Sequence, residues 1–301
     1  MLSVIVRFHQ GGAMALLRRA LYSLLGSPQA AVEVIVMVQY RDASLLAEVD
    51  RLCASSLGSR SWQVRGVPAA EGEDLRSALL AEGVAHATGR HVAFLDFDDV
   101  LFLNGVLRSV DICEEDDADM VVGQTLLAGV RGTFPNDYVL TKERFVLTVP
   151  PSPLVLLACN FAPICSVVVR RSFFERTGLS FSRELSRVED YDMLIKVLGA
   201  GKVSLRALRL GVVNAQYNFN IDVGGTTLGL WRTESQEEGE AALWNRCRQV
   251  VAETSMAARA PFSLLEIKQV LDFLVAPEGR SGEFTTNLRA FSDRVHALAQ
   301  A

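Results

Sequence analysis

No CxxC pair occurs among the five cysteines (Cys53, Cys113, Cys159, Cys165, Cys247) of this 301-residue chain. That absence, with the odd count, excludes a zinc ribbon and a disulfide frame. The thiols read as reduced core residues of a cytoplasmic protein. Excess basic charge is also lacking. Lys and Arg number 30 against 35 Asp and Glu, a net charge of −5, so no broad nucleic-acid-binding face is expected. A local basic pocket for a diphosphate is compatible with that balance. No apolar run suits a bilayer span. The longest uncharged stretch, Phe145 to Val169, contains Pro150, Pro151, Pro153 and Pro163, which break a membrane helix. The start, Met1-Leu2-Ser3-Val4-Ile5-Val6, lacks the basic region and the apolar length of a leader. Peripheral contact with the inner face of a membrane stays open. A full GxGxxG is missing, since Gly11-Gly12 stands alone, and no P-loop occurs. No acidic residue closes the second expected strand either, which counts against a dinucleotide-dependent oxidoreductase.

What is present is a strand–helix alternation. Ser3–Phe8, Val32–Val38, Trp62–Val67 and His91–Leu95 are short apolar runs that read as buried strands. Between them, Ala13–Leu25, Leu45–Cys53 and Leu75–Ala87 carry apolar residues at helical spacing. Gly105–Cys113 reads as a further helix and Met120–Val122 as a further strand. This order predicts an α/β fold with a mainly parallel central sheet and helices on both faces. Gly123–Pro163, broken by Pro and Gly, reads as a long excursion over the active-site edge. Val167–Val169, Val203–Ala207 and Val212–Tyr217 read as strands, Ser172–Thr177 and Asp190–Leu198 as helices. The pattern changes after Gly224-Gly225, where Glu237–Glu253, Leu264–Leu274 and Asn287–Ala299 are helical. The expected division is therefore a domain over 1–225 and a helical C-terminal region over 226–301, the latter available for an acceptor groove, a homodimer contact or a membrane surface.

Two acidic clusters carry the chemistry. Val92-Ala93-Phe94-Leu95-Asp96-Phe97-Asp98-Asp99 is a buried strand that ends in three carboxylates out of four residues. Open α/β sheets bind ligands at that edge, and Mg²⁺-like cations take one or two carboxylates plus substrate phosphates. The competing reading is a solvated acidic turn. Glu189-Asp190-Tyr191-Asp192 opens a helix, where acidic residues match the helix dipole with no further role. With an acidic strand edge elsewhere, one cluster suits a metal and the other a general base.

Taken together, Ser3-Val4-Ile5-Val6, Arg76 with the helix ending Ala87-Thr88-Gly89-Arg90, Phe94 to Asp99, Arg170-Arg171 and Glu189-Asp190-Tyr191-Asp192 resemble a family 2 glycosyltransferase of the GT-A fold. The match runs over about residues 3 to 220. The resemblance implies inverting transfer from a nucleotide-sugar to a hydroxyl acceptor. Asp96 and Asp98 match the family's DxD motif, with Asp98 the main ligand of Mn²⁺ or Mg²⁺ and Asp96 nearer the ribose or sugar. Asp190 matches the catalytic base, and Glu189 orients the acceptor or the base. Asp192 is read as a helix-surface or structural carboxylate. Arg76 and His9 match positions near the nucleotide, Gly11-Gly12 allows close backbone approach, and Asn160 falls on the acceptor side. A UDP-sugar is the commonest donor in the family, and a glycan or lipid-linked acceptor in surface polysaccharide or glycolipid assembly is the expectation.

The chain departs from the family in places. The acidic turn after the second strand is replaced by Gln39-Tyr40-Arg41-Asp42, leaving Gln39 or Asp42 to contact the base. No His lies between His91 and His296 to serve as a late metal ligand, so Asn218 and Asn220 are the stand-ins. QxxRW is absent, which favours single addition over processive synthesis. Two alternatives remain at this stage. Leu95 to Leu101 resembles the first motif of haloacid-dehalogenase phosphohydrolases, although three expected strands precede it. A catalytically degenerate GT-A binding subunit is the other.

Overall fold

Leu2–Phe8 (β1) is buried at every position, as expected of a strand covered on both faces. The computed structural model describes residues 1–9, 13–26, 32–132, 139–146, 150–157 and 160–220, with positions 249, 253, 254, 265 and 268. After β1 come α1 (Met14–Ser23), β2 (Val32–Tyr40), α2 (Ser44–Leu57), β3 (Ser61–Pro68), α3 (Arg76–His86) and β4 (His91–Asp96). The expected alternation is therefore present. There follow β5 (Val100–Leu101), α4 (Leu103–Glu115), β6 (Met120–Val122), β7 (Gln124–Arg131) and β8 (Val139–Val146). The last elements are β9 (Val167–Arg170), α5 (Arg171–Thr177), α6 (Glu189–Ala200), β10 (Val203–Ser204), α7 (Arg206–Arg209) and β11 (Val213–Asn220). Short 3₁₀ turns at Pro153–Leu157 and Ile164–Ser166 connect β8 to β9.

The main sheet has seven strands in the order β10-β6-β9-β4-β1-β2-β3. β4, β1, β2 and β3 are parallel, and β9 runs antiparallel between β4 and β6. Strand periodicity divides the core in two. Ile5, Ile35, Val92 and Phe94 face a layer containing α3 and α6, through Leu79, Leu80, Met193 and Leu194. Val4, Val6, Val34 and Leu95 face α1 and α2, through Leu17, Leu21, Val49 and Leu52. Among the described residues no helix is long and apolar enough to cross a membrane.

Two sequence expectations are corrected. Residues 124–131 and 139–146 are strands, not an irregular excursion, and they form a second sheet in the order β5-β11-β7-β8. Gly123 and Gly132 flank β7, and Gly129 sits at an irregularity in its pairing with β8. Residues 203–207 are a two-residue strand followed by α7, because the Ser204 hydroxyl accepts the Arg206 amide (3.1 Å) and turns the chain. Val100-Leu101 pairs with β11, a strand no periodicity announced. Gly11-Gly12 and most of the C-terminal helical region lie outside the described residues.

The N-terminal end of the sheet is fastened by one polar cluster. Glu33 accepts the Ser3 hydroxyl at 2.6 Å and both the amide and hydroxyl of Thr88 at 3.0 Å, and the Ser3 oxygen accepts the Gly89 amide at 2.8 Å. Burial would raise the Glu33 carboxyl, but the Ser3 and Thr88 bonds outweigh it and hold it low. Ser3→Ala strands the Gly89 amide and one Glu33 lone pair. It is expected to lower the unfolding free energy in urea by about 1–3 kcal/mol.

Candidate active site

In parallel strands, neighbours in register on one face touch. Arg7 pairs in register with Asp96 across β1 and β4. Both lie on the Ile5–Phe94 side of the sheet, the side that α6 covers. The Arg7 guanidinium donates to both Asp96 oxygens, Nη2 at 2.7 Å, and its Nη1 donates to Glu189 at the start of α6. All three side chains are largely withdrawn from solvent. Burial alone would lower the Arg7 pKa, but Asp96 and Glu189 drive it well above its ordinary value. Burial likewise opposes ionisation of Asp96, and Arg7 outweighs it.

Beyond Asp96 the chain makes a tight turn, with the Asp99 amide donating to the Asp96 carbonyl at 3.0 Å. Phe97 packs edge-on against Phe8 and His9, ring centroids 5.5 and 5.1 Å apart. The Asp98 carbonyl accepts the Asn218 side-chain amide at 2.9 Å and an Arg19 N–H. Asp99, buried, accepts the Asn218 backbone amide at 2.8 Å. Asn218 therefore fastens the acidic turn to β11. Its amide oxygen accepts from Gln216 at 2.8 Å, so in this structure it serves as a loop fastener. The Asp98 carboxylate differs from that of Asp96. Burial and the neighbouring Asp96 charge push it up to about 6. No Lys or Arg among the described residues forms an ion pair with it. Asp99 is raised well above its ordinary value by burial, then by Asp98 and Asp96.

The second acidic cluster enters from α6. Val188, just before the helix, has φ 53° and ψ 23°, a left-handed conformation that costs a β-branched residue roughly 1–2 kcal/mol. Such strain gathers at functional sites. Asp190 accepts the Tyr191 amide at 2.7 Å and the Asn160 side-chain amide at 3.3 Å. Burial, then the charge of Glu189, raises its carboxyl to about 7. Glu189 itself is committed to Arg7. Asp192 is buried, which selects the structural of the two readings the sequence left open and removes the helix-surface one.

The expected nucleotide-side residues are placed as follows. Arg76 donates to Asp74 at 2.7 Å, and Arg187 reaches the same carboxylate at 3.2 Å. His9 lies in the field of Arg7 and Arg76. Burial and those charges lower it to about 4, so it is a neutral imidazole, and its Nδ1 has no hydrogen-bond partner among the described residues. Gln39 donates to the Glu73 carbonyl at 2.7 Å and accepts the Leu75 amide at 3.0 Å, shaping the segment that bears Asp74. Asp42 caps the start of α2 through the Ser44 amide at 2.9 Å. Arg7, Asp74 and Arg187 were missed in the sequence. The available signal was Arg7, one charge inside an otherwise apolar strand.

The arrangement is a strand-edge carboxylate near neutrality, a salt-bridged floor and a second carboxylate near neutrality on a covering helix. Residues 3–176 match the family model described as glycosyl transferase family 2. The chain belongs to glycosyl transferase family 2. A search of the curated proteins finds no match. Among solved structures, S. aureus TarS 1-349 in complex with UDP-GlcNAc is similar at 16% identity and a TM-score of 0.54, over 99% of this chain and 83% of that one. The mannosyltransferase PcManGT from Pyrobaculum calidifontis in complex with GDP-Man and Mn²⁺ is similar at 14% identity and a TM-score of 0.55, over 99% and 75%. These likenesses show the GT-A fold. The phosphohydrolase alternative is set aside on two grounds: family membership, and the bidentate hold of Arg7 on Asp96, which would have been its nucleophile.

Among the described residues no three His, Cys, Asp or Glu side chains gather as a preformed metal cage. A Mg²⁺-like ion does not need one, since it takes few carboxylates and completes its shell with phosphate and water. Asp98 suits that role, because it is a buried carboxylate raised by desolvation and by Asp96 more than the fields of Arg7 and Arg19 lower it, and it makes no ion pair among the described residues. Asp96 is less suited, both of its oxygens being engaged by Arg7.

Proposed function

We propose that this chain transfers a sugar from a nucleoside diphosphate donor to an acceptor hydroxyl in one displacement, with inversion at the anomeric carbon. The observation that carries the reading is the Asp190 carboxyl. It is desolvated at the start of α6, oriented by Asn160, raised to about 7, and linked to the DxD edge through Glu189, Arg7 and Asp96. A general base near the working pH takes up a proton most effectively. The acceptor hydroxyl gives its proton to Asp190 as its oxygen bonds to the anomeric carbon. The bond from that carbon to the diphosphate breaks on the opposite face. Glu189 and Asp96, held by Arg7, keep the two halves of the site in register. His9, uncharged and packed on Phe97, lines the donor side with Arg76.

Asp98 would hold Mn²⁺ or Mg²⁺, with Asp96 beside it, and the ion when bound offsets the negative charge of the departing diphosphate. A UDP-sugar is the first donor to test, in keeping with the UDP-GlcNAc bound by TarS. The acceptor class we propose is a glycan or a lipid-linked hydroxyl, used in the cytoplasm for surface polysaccharide or glycolipid assembly.

Calorimetric titration of UDP, GDP, dTDP and CDP, each with and without Mn²⁺, tests the donor side. One nucleotide is expected to bind in a metal-dependent way, and Asp98→Asn is expected to remove that metal dependence. Equal Mn²⁺ dependence in Asp98→Asn would take Asp98 out of the cation site. Absence of binding by all four would overturn the donor class.

A further inference from the structure

The first turn of α6 has two sides. Residues two apart on a helix do not share a face, so Asp190 and Asp192 point in different directions from the same turn. Asp192 is fully buried and is held by three groups from three parts of the chain. Its Oδ2 accepts the Ser182 hydroxyl at 2.8 Å and pairs with Lys196 Nζ at 2.7 Å, one turn along the helix. Its Oδ1 accepts the Thr254 hydroxyl at 2.6 Å. Lys196 also donates to the Ser182 oxygen at 2.6 Å and the Ser180 carbonyl at 3.0 Å. The Ser182 carbonyl in turn accepts the Ser77 hydroxyl of α3 at 2.6 Å. Thr254 lies in a helical stretch with Glu253, 62 residues beyond Asp192.

From this we infer that Thr254 is a positioning residue. Through Asp192, Thr254 braces the helix turn that aims Asp190, so this C-terminal position works with the transferase site. The inference rests on the reading of Asp190 as the base. Its physical reason is the Val188 turn. A left-handed β-branched residue persists only where its surroundings over-determine it, and the Asp192 amide closes that turn on the Val188 carbonyl at 3.0 Å. Glu189 and Arg7 fix the turn from the sheet side. Asp192 fixes it from behind, and among the described residues Thr254 is the contact in that set supplied by the C-terminal region. A buried carboxylate short of one donor relaxes toward another partner, and the aim of Asp190 relaxes with it.

The test uses the full-length chain with Thr254→Val, which keeps the shape and removes the hydroxyl, and Thr254→Ser, which restores it. Hydrogen–deuterium exchange is followed on the peptide spanning the start of α6. Thr254→Val is expected to speed exchange there by about tenfold or more while β1 and β4 stay as in the wild type. Thr254→Ser is expected to return it to the wild-type rate. Unchanged exchange in Thr254→Val, or equal acceleration in both variants, would overturn the brace. Asp192→Ala leaves Lys196 without its carboxylate and tests the same turn by exchange alone, where an unchanged rate also counts against the brace. Hydrolysis of UDP-GlcNAc and GDP-mannose supplies a second readout. A lower kcat with unchanged KM in Thr254→Val, rescued in Thr254→Ser, supports positioning; a change in KM alone counts against it. The reading of Asp190 is reported separately by Asp190→Asn. Wild-type turnover in that variant would reject the base and leave the exchange result standing.

Discussion

Asp190→Asn is expected to lower sugar transfer by about 10²- to 10⁴-fold, the range a positioned general base contributes, while nucleotide affinity stays near that of the wild type. The amide keeps the shape but offers one acceptor oxygen to the two donors, the Tyr191 amide and the Asn160 side chain, and cannot take a proton. Two measurements check it: single-turnover transfer to an acceptor, and calorimetric nucleotide binding. The pH dependence follows from the raised carboxyl. Asp190 acts only when ionised, and burial with the Glu189 charge holds it protonated up to about pH 7. kcat/KM is therefore expected to fall as pH drops through about 7, not through the usual carboxylate range near 4. An acid limb near pH 4, or an unchanged limb in Asp190→Asn, would assign the base elsewhere. Glu189→Gln provides a contrast, because it removes a charge that raises Asp190. The acid limb is expected to move to lower pH as transfer weakens through loss of the Arg7 contact.

Arg7→Met is expected to cost the largest stability of any single change at the site. The side chain is buried and bonded to two carboxylates. Its removal leaves Asp96 and Glu189 as uncompensated buried charges, a loss of about 3–5 kcal/mol for a broken buried pair. Arg7→Lys keeps the charge but loses the fork that spans Asp96 bidentately, so partial recovery is expected. Linkage gives the pH sign. Arg7 holds the folded-state Asp96 carboxyl below its unfolded value. Its contribution is therefore present above the unfolded value near 4 and fades as pH falls toward the folded one. In Arg7→Met that contribution is gone, and Asp96 takes up a proton more readily. The stability gap between variant and wild type is then wider at pH 7 than at pH 4. Urea unfolding at the two pH values checks this, and a gap that widens toward pH 4 would contradict it.

Much of the framework was legible before any coordinates. The first four strands and three helices follow from apolar runs and 3.6-residue spacing, which report burial directly. The ends of those elements placed Asp96 and Asp98 at the C-terminal edge of a parallel sheet. Family membership followed from the order of short motifs, and the acidic opening of α6 marked Asp190. Local sequence was enough there because each signal resides within a few residues of its own element.

Long-range contacts were not legible. That Arg7 sits between Asp96 and Glu189 depends on strand register and on which sheet face α6 covers, across separations of 89 and 182 residues. The second sheet formed where Gly and Pro suggested loop, because β7 and β8 gain their pairing from each other and from β11. Asn218 fastens the acidic turn because its register beside β5 brings it to the Asp98 carbonyl. Asp192, open in the sequence between a surface and a structural role, is structural because Ser182 and Thr254 close over it. Residue type and spacing thus nominated the acidic groups of the candidate site. Register, layer packing and desolvation, which exist only in the folded chain, decided which carboxylate is spent on an arginine and which keeps its proton near neutrality.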